Sequence, residues 1–208
     1  MFWYHPDLER LENENENLEY QPKMIFYGSS TFTLWEDLTS VFRAYNPVNL
    51  GFGGSTLAAC TWFFDRIFKN IENPESIVIY AGDNDLGDAR HPEEVILFLE
   101  NLLVKIREKY STVKCTCIAI KPSIARKHLL QSIHYTNTCI EKLMRKDDRF
   151  YYVDIFDKLL DANGNPDQKY FQEDGLHFNA EGYEVLKNAL EANKEIFPEQ
   201  ILEKIELK

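Results

Sequence analysis

From Lys23 onward, short apolar runs alternate with longer amphipathic stretches. Met24 to Tyr27 is strand-like and precedes a helical pattern from Phe32 to Phe42; Val48 to Leu50 precedes a second from about Thr56 to Phe68. The β-branched run Ile77 to Tyr80 leads into a helical stretch from Pro92 to Tyr110, where Pro92 suits a first turn because the N–H it lacks would have no partner there. Val113 to Ile120 reads as a fourth strand, His128 to Arg145 as helix and Phe150 to Val153 as a fifth strand. Residues 179 to 196 close the pattern, with Asn179 as a helix N-cap and Ala180, Tyr183, Leu186, Ala189 and Leu190 as an apolar stripe. Five strands separated by helices predict right-handed crossovers and a parallel sheet covered on both faces, a three-layer α/β/α sandwich. In such sheets ligands bind outside the carboxyl ends of the strands, so the loops there are where chemistry is expected.

The first 22 residues break this rhythm. The alternation Glu12-Asn13-Glu14-Asn15-Glu16-Asn17 reads as a solvated acidic arm, outside a domain spanning 23–208. Leu8, Leu11 and Leu18 offer a short apolar stripe through which the arm would pair with another copy, giving a homo-oligomer.

Composition narrows the possible partners. A chain of 208 residues with 44% hydrophobic and 13% aromatic content suffices for one sizeable core. A formal charge of −11, with no basic cluster interleaved with aromatics, argues against nucleic acid. No apolar run approaches the roughly 18–20 residues of a spanning helix, and Met1-Phe2-Trp3-Tyr4-His5-Pro6 lacks a signal-peptide pattern, so a soluble cytoplasmic protein without a membrane partner is expected. Cys60, Cys115, Cys117 and Cys139 form no CxxC pair and have no histidine at ligand spacing. They read as small buried hydrophobes, with neither metal nor cofactor expected.

Each strand end carries an unusual residue set. Asp174-Gly175-Leu176-His177 puts a carboxylate and an imidazole in one Gly-bearing turn, the usual way to build a general base near neutral pH, and such a base calls for a nucleophile. Gly28-Ser29-Ser30-Thr31 supplies a serine after the first strand, although serines at that position also cap helices. After the second strand, Gly51-Phe52-Gly53-Gly54-Ser55-Thr56 lets backbone N–H groups approach an anion but is not a dinucleotide fingerprint, because Thr56 stands where a third glycine belongs. After the third, Gly82-Asp83-Asn84-Asp85 offers an amide donor at Asn84; the spacing of Asp83, Asp85 and Asp88 does not fit a calcium loop.

Taken in order, Gly28-Ser29-Ser30, Gly54, Gly82-Asp83-Asn84-Asp85 and Asp174-Gly175-Leu176-His177 resemble the four blocks of the SGNH hydrolases, or GDSL-type esterases and lipases, over about Lys23 to Phe197. The resemblance implies a flavodoxin-like five-stranded sheet of order 2-1-3-4-5 and hydrolysis of carboxylic esters, commonly acetyl or other acyl groups on sugars, lipids or small molecules. It implies Ser30 as nucleophile and oxyanion donor, Gly54 and Asn84 as further donors, His177 as base and Asp174 as its orienter. Ser29 replaces the family's usual aspartate, which leaves it as a minor rival nucleophile. Lys121-Pro122-Ser123 and Arg126, after the fourth strand, open on the same edge, and Arg126 or His128 is a candidate to bind a polar or anionic part of the substrate. His5, His91 and His134 read as surface or packing residues. The expected substrate is a short-acyl ester of a carbohydrate or small molecule. The alternatives are a lysophospholipase or thioesterase-type acyl hydrolase, and a catalytically silent binding module.

Overall fold

The structure, a computed structural model, describes residues 1–200; the last eight residues of the expected domain, 201–208, lie outside it. In chain order the elements are α1 (His5–Glu16), β1 (Met24–Gly28), α2 (Ser30–Thr33), α3 (Leu38–Val41), β2 (Pro47–Gly51), α4 (Leu57–Ile67) and β3 (Ser76–Tyr80). There follow α5 (Asp83–Gly87), α6 (Pro92–Lys109), β4 (Lys114–Ile118), α7 (Leu130–Met144), β5 (Phe150–Val153) and α8 (Ala180–Glu191). The strands form one parallel sheet in the order β2-β1-β3-β4-β5, as the sequence implied.

Side chains alternate across the sheet with period two. In β1, Ile25 and Tyr27 enter one core with α1, α4, α6 and α7, whereas Met24 and Phe26 enter the other with α2, α3 and α8. Both faces are therefore dry, which is why β1 and β3 are buried at every position. Cys60, Cys115 and Cys117 are buried and unpaired within the first core.

Register brings the functional loops together. Gly28 pairs with Gly51 on one side and Tyr80 on the other, so β1, β2 and β3 end level with one another. From β1 the chain crosses to β2, and from β3 it moves the opposite way to β4. This reversal opens a crevice beyond the carboxyl ends of β1 and β3.

Two regions differ from expectation. The stretch 32–42 is two short helices rather than one, although Phe32, Trp35, Leu38 and Phe42 are all buried. Asn49 Nδ2 donates to the Phe32 carbonyl (2.7 Å), an acceptor that a continuing helix would give to residue 36. The acidic arm is a packed helix. Tyr4, Leu8 and Leu11 are buried in the first core, Asn15 Nδ2 donates to Ile67 O (3.0 Å), and Glu12 takes a bidentate pair from Arg66 (2.6 and 2.7 Å). The Leu8 and Leu11 stripe expected to meet a second copy is thus covered by α4 of the same chain. Among the described residues no helix is long and apolar enough to cross a membrane.

Candidate functional site

Ser29 and Ser30 share a turn but not an environment. Gly28 has φ +153°, and a Cβ there would collide with the Tyr80 carbonyl, so only glycine lets β1 run this close to β3 before turning. Ser29 is tied back by its N–H to Tyr80 O (2.9 Å), accepts from Phe32 N and Thr33 N, and is buried. Ser30, the first residue of α2, is half-buried, so of the two hydroxyls it is the more accessible. Among the described residues its backbone N–H has no acceptor, as expected at the start of a helix.

The loop after β2 presents Gly54, exposed at φ +68° in the region that favours glycine, and its N–H is also without an acceptor among the described residues. This loop is held from outside the sheet. Tyr4, 3% exposed, donates its hydroxyl to Gly54 O (3.0 Å), and its ring packs edge-on against Phe52 and Phe63. Arg10 Nη2 donates to Gly51 O (2.9 Å).

After β3, Gly82 turns the chain into α5 and sets three polar side chains in different roles. Asp85 is fully buried; its Oδ2 accepts from Leu57 N (2.8 Å) at the start of α4, and its Oδ1 from Arg90 (3.0 Å). Burial pushes its carboxyl above the ordinary range, against the opposing pull of these two donors. Asn84 has a determinate amide orientation. Arg126 Nη2 donates to its Oδ1 (2.9 Å) and its Nδ2 donates to Ser55 O (3.0 Å); a flipped amide would set donor against donor and acceptor against acceptor. One Nδ2 hydrogen remains without a partner among the described residues.

Asp83 anchors a buried ionic cluster. Its Oδ2 takes Lys121 Nζ (2.8 Å) and its Oδ1 contacts Arg126 Nη1. Lys121, 2% exposed, also meets the Tyr80 hydroxyl (3.2 Å) and lies over the rings of Tyr80 and Phe178. Burial lowers Arg126 from its usual pKa, but a guanidinium starting so high keeps its charge at neutral pH. The cluster holds two cations against one carboxylate. The exposed His128 side chain makes no hydrogen bond among the described residues.

The fifth-strand side of the crevice carries the Asp-His turn. Asp174 Oδ1 accepts from Leu176 N (2.8 Å) and His177 N (3.0 Å), and its Oδ2 lies 2.6 Å from His177 Nδ1. Burial alone would raise Asp174, but these backbone donors and the imidazole outweigh it and hold the carboxyl at about 2. An ionised carboxylate has no hydrogen to give, so Nδ1 is the donor in this pair, and in the neutral imidazole Nε2 keeps its lone pair. Ala125 N donates to Gly175 O (3.0 Å), tying the turn to the Lys121–Arg126 loop, and Tyr183 OH donates to Thr31 O (3.0 Å), tying α8 to the residue after Ser30. No hydrogen bond links Ser30 to His177 among the described residues; such contacts are commonly loose without substrate and tighten in the reacting complex.

The aromatics near the blocks are mostly core: Phe32, Phe52, Trp35 and Phe178 are all buried. Trp35, Phe178 and Tyr183, with Gln172, Asn179 and the charged Glu36, Asp37, Glu184 and Lys187, border a cavity of about 600 Å³ that none of Ser30, Gly54, Asn84, Asp174 or His177 lines. Asn179 caps α8 as expected, accepting from Gly182 N (3.0 Å). Sequence reasoning missed Tyr4, whose hydroxyl reaches Gly54, and placed Lys121 on this edge without its burial, which no pattern announced.

Comparison with known proteins agrees with this fold. Over 90% of its length the chain superposes on 97% of a GDSL-like lipase from Bacteroides thetaiotaomicron (TM-score 0.77, 20% identity). It also superposes, over 84% of its length, on 98% of a carbohydrate esterase family 3 protein from Talaromyces cellulolyticus (TM-score 0.67, 17% identity). At these identities the likeness establishes the fold. A curated relative, an N-acylneuraminate cytidylyltransferase from Escherichia coli, is 23% identical over 189 residues; the chain spans only 42% of that protein's length. The family model for GDSL-like lipases and acylhydrolases matches residues 25–185. This match takes in the first three blocks and the Asp-His turn, and the chain therefore belongs to the GDSL-like Lipase/Acylhydrolase family.

Proposed function

We propose that the protein is a serine esterase that hydrolyses short-acyl esters, acetyl above all, of a carbohydrate or other small polar alcohol. The observation that carries this reading is the Asp174–His177 pair, since a 2.6 Å bond from Nδ1 to an ionised carboxylate leaves Nε2 of the neutral imidazole as the proton acceptor. In the reaction, Nε2 takes the Ser30 proton as Oγ attacks the ester carbonyl. Charge developing on the carbonyl oxygen meets the backbone N–H groups of Ser30 and Gly54 and the free Nδ2 hydrogen of Asn84. His177 then returns its proton to the departing alcohol, leaving an acyl-enzyme on Ser30. Water, deprotonated by the same nitrogen, attacks that ester and releases the acid.

Three donors without partners support the oxyanion hole, and the accessibility of Ser30 favours it over Ser29. The likeness to a carbohydrate esterase supports a short acyl group on a sugar.

The test is hydrolysis of p-nitrophenyl esters from C2 to C12, extended to acetylated sugars. Ser30→Ala and His177→Ala are expected near background, with Ser30-dependent labelling by a fluorophosphonate. Retention of most activity by Ser30→Ala would overturn the nucleophile, and preference for C8 or longer would overturn the short-acyl assignment.

A further inference from the structure

The esterase reading requires an Asn84 amide that points one way, and the structure holds that amide with a residue outside the recognised blocks. We propose that Arg126 is a positioning residue for the oxyanion hole: it fixes the Asn84 amide through Oδ1 and passes the polarising effect of a positive charge through that amide to the oxyanion. The inference rests on the proposed ester hydrolysis and deepens it.

The geometry is a chain of two hydrogen bonds. Arg126 Nη2 donates to Asn84 Oδ1 (2.9 Å), and the remaining Nδ2 hydrogen of the same amide is the one offered to substrate. A cation on the carbonyl oxygen of an amide draws electron density from its nitrogen and makes the N–H a stronger donor, and in a low-dielectric setting successive bonds reinforce one another. Removing Arg126 would leave only the Ser55 contact to orient Asn84, and a half-turn of the amide would then present oxygen to the developing oxyanion.

Arg126 is itself held in place. Asp83 contacts its Nη1 and is neutralised on the other oxygen by Lys121 (2.8 Å), so the carboxylate does not cancel the cluster's surplus positive charge. The guanidinium also lies on Gly87, where an added Cβ would fall 2.8 Å from Nη2, so a side chain there would displace the guanidinium. Two of the guanidinium nitrogens are committed to Asp83 and Asn84. This occupancy accounts for Arg126 better than the direct substrate contact expected from sequence.

The test is a double-mutant cycle on p-nitrophenyl acetate with kcat and KM measured separately. Asn84→Ala should lose about 10²–10³ in kcat. Arg126→Ala should lose on the order of 10-fold in kcat with KM nearly unchanged, because the interaction matters in the transition state. In the Asn84→Ala background the same substitution should have little further effect. An equal loss in both backgrounds, or a rise in KM at constant kcat, would overturn the proposal. Should Arg126→Ala fail to fold, Arg126→Lys and Arg126→Gln replace it: Lys, which keeps the charge, should retain more kcat than Gln, and the reverse order would overturn the charge effect. Ser30→Ala separates the two levels. An active Ser30→Ala removes the esterase reading itself, whereas a silent Ser30→Ala with an additive cycle removes only the role of Arg126.

Discussion

The two outer donors of the proposed oxyanion hole are braced in opposite styles. Asn84 is held by ions, with Arg126 on its carbonyl and Asp83 and Lys121 behind. Gly54 is held by a neutral aromatic, with the Tyr4 hydroxyl on its carbonyl and the ring packed on Phe52 and Phe63. The difference follows from what each donor is. A side-chain amide can rotate, so it needs a partner that distinguishes its two ends, and a guanidinium does this. A backbone N–H is already aimed by φ and ψ and needs only to have its loop kept still. A charge beside Asn84 therefore changes donor strength, whereas the Tyr4 hydroxyl changes only position.

This contrast is tested first where the effect should be largest. Lys121→Met leaves Asp83 to Arg126 alone in a buried site, and removing one member of a buried ion cluster costs about 3–5 kcal/mol. In a chain of this size each kcal/mol moves Tm by about 2–4 °C, so a loss of roughly 10 °C in calorimetry is expected. A change below about 2 °C would show the ionic brace to be energetically idle.

A smaller effect is expected at the neutral brace. Tyr4→Phe keeps the ring contacts and removes one hydrogen bond, a loss of about 1 kcal/mol, with kcat on p-nitrophenyl acetate staying within about threefold. A drop in kcat as large as that of Arg126→Ala at unchanged Tm would erase the distinction between the two braces.

The smallest effect lies outside both. Asp174 sits at about 2 in the folded chain, below the ordinary aspartate value, so its stabilising contribution is complete above about pH 4 and fades as pH falls through about 2. At 46% side-chain exposure the contribution is modest. Asp174→Asn should flatten the slope of Tm against pH between about 4 and 2. An unchanged acid slope would mean that the turn is held by its backbone alone.

Much of this was legible in the sequence because the relevant signals are local. The strands are short apolar runs, and Ser30, Gly54, Asn84 and the Asp174–His177 pair each follow one, where chain direction alone places them on a common edge. The braces were not legible because they are pairings across the fold. Tyr4 and Gly54 are 50 positions apart, and Asn84 and Arg126 are 42 apart. The N-terminal helix did leave a trace: Tyr4, Leu8, Leu11 and Asn15 recur at helical spacing, but the Glu-Asn alternation on the exposed face masked it. The break in the 32–42 helix had no local signal, since it depends on Asn49 reaching the Phe32 carbonyl.

The docking of α1 on α4 also bears on how the molecule comes to be made. Synthesis delivers α1 before α4, with Leu8 and Leu11 bare, and the surface that covers them arrives only with Phe52 to Phe68. Until then the segment is a nascent chain with exposed leucines and nothing to pack on, a condition in which association with chaperones or with other nascent chains competes with folding. Closing that long loop is also what brings Tyr4 to Gly54. The Gly54 loop is therefore steadied only once α4 has been made, and a refolding assay that follows Tyr4 burial should report the step at which this brace forms.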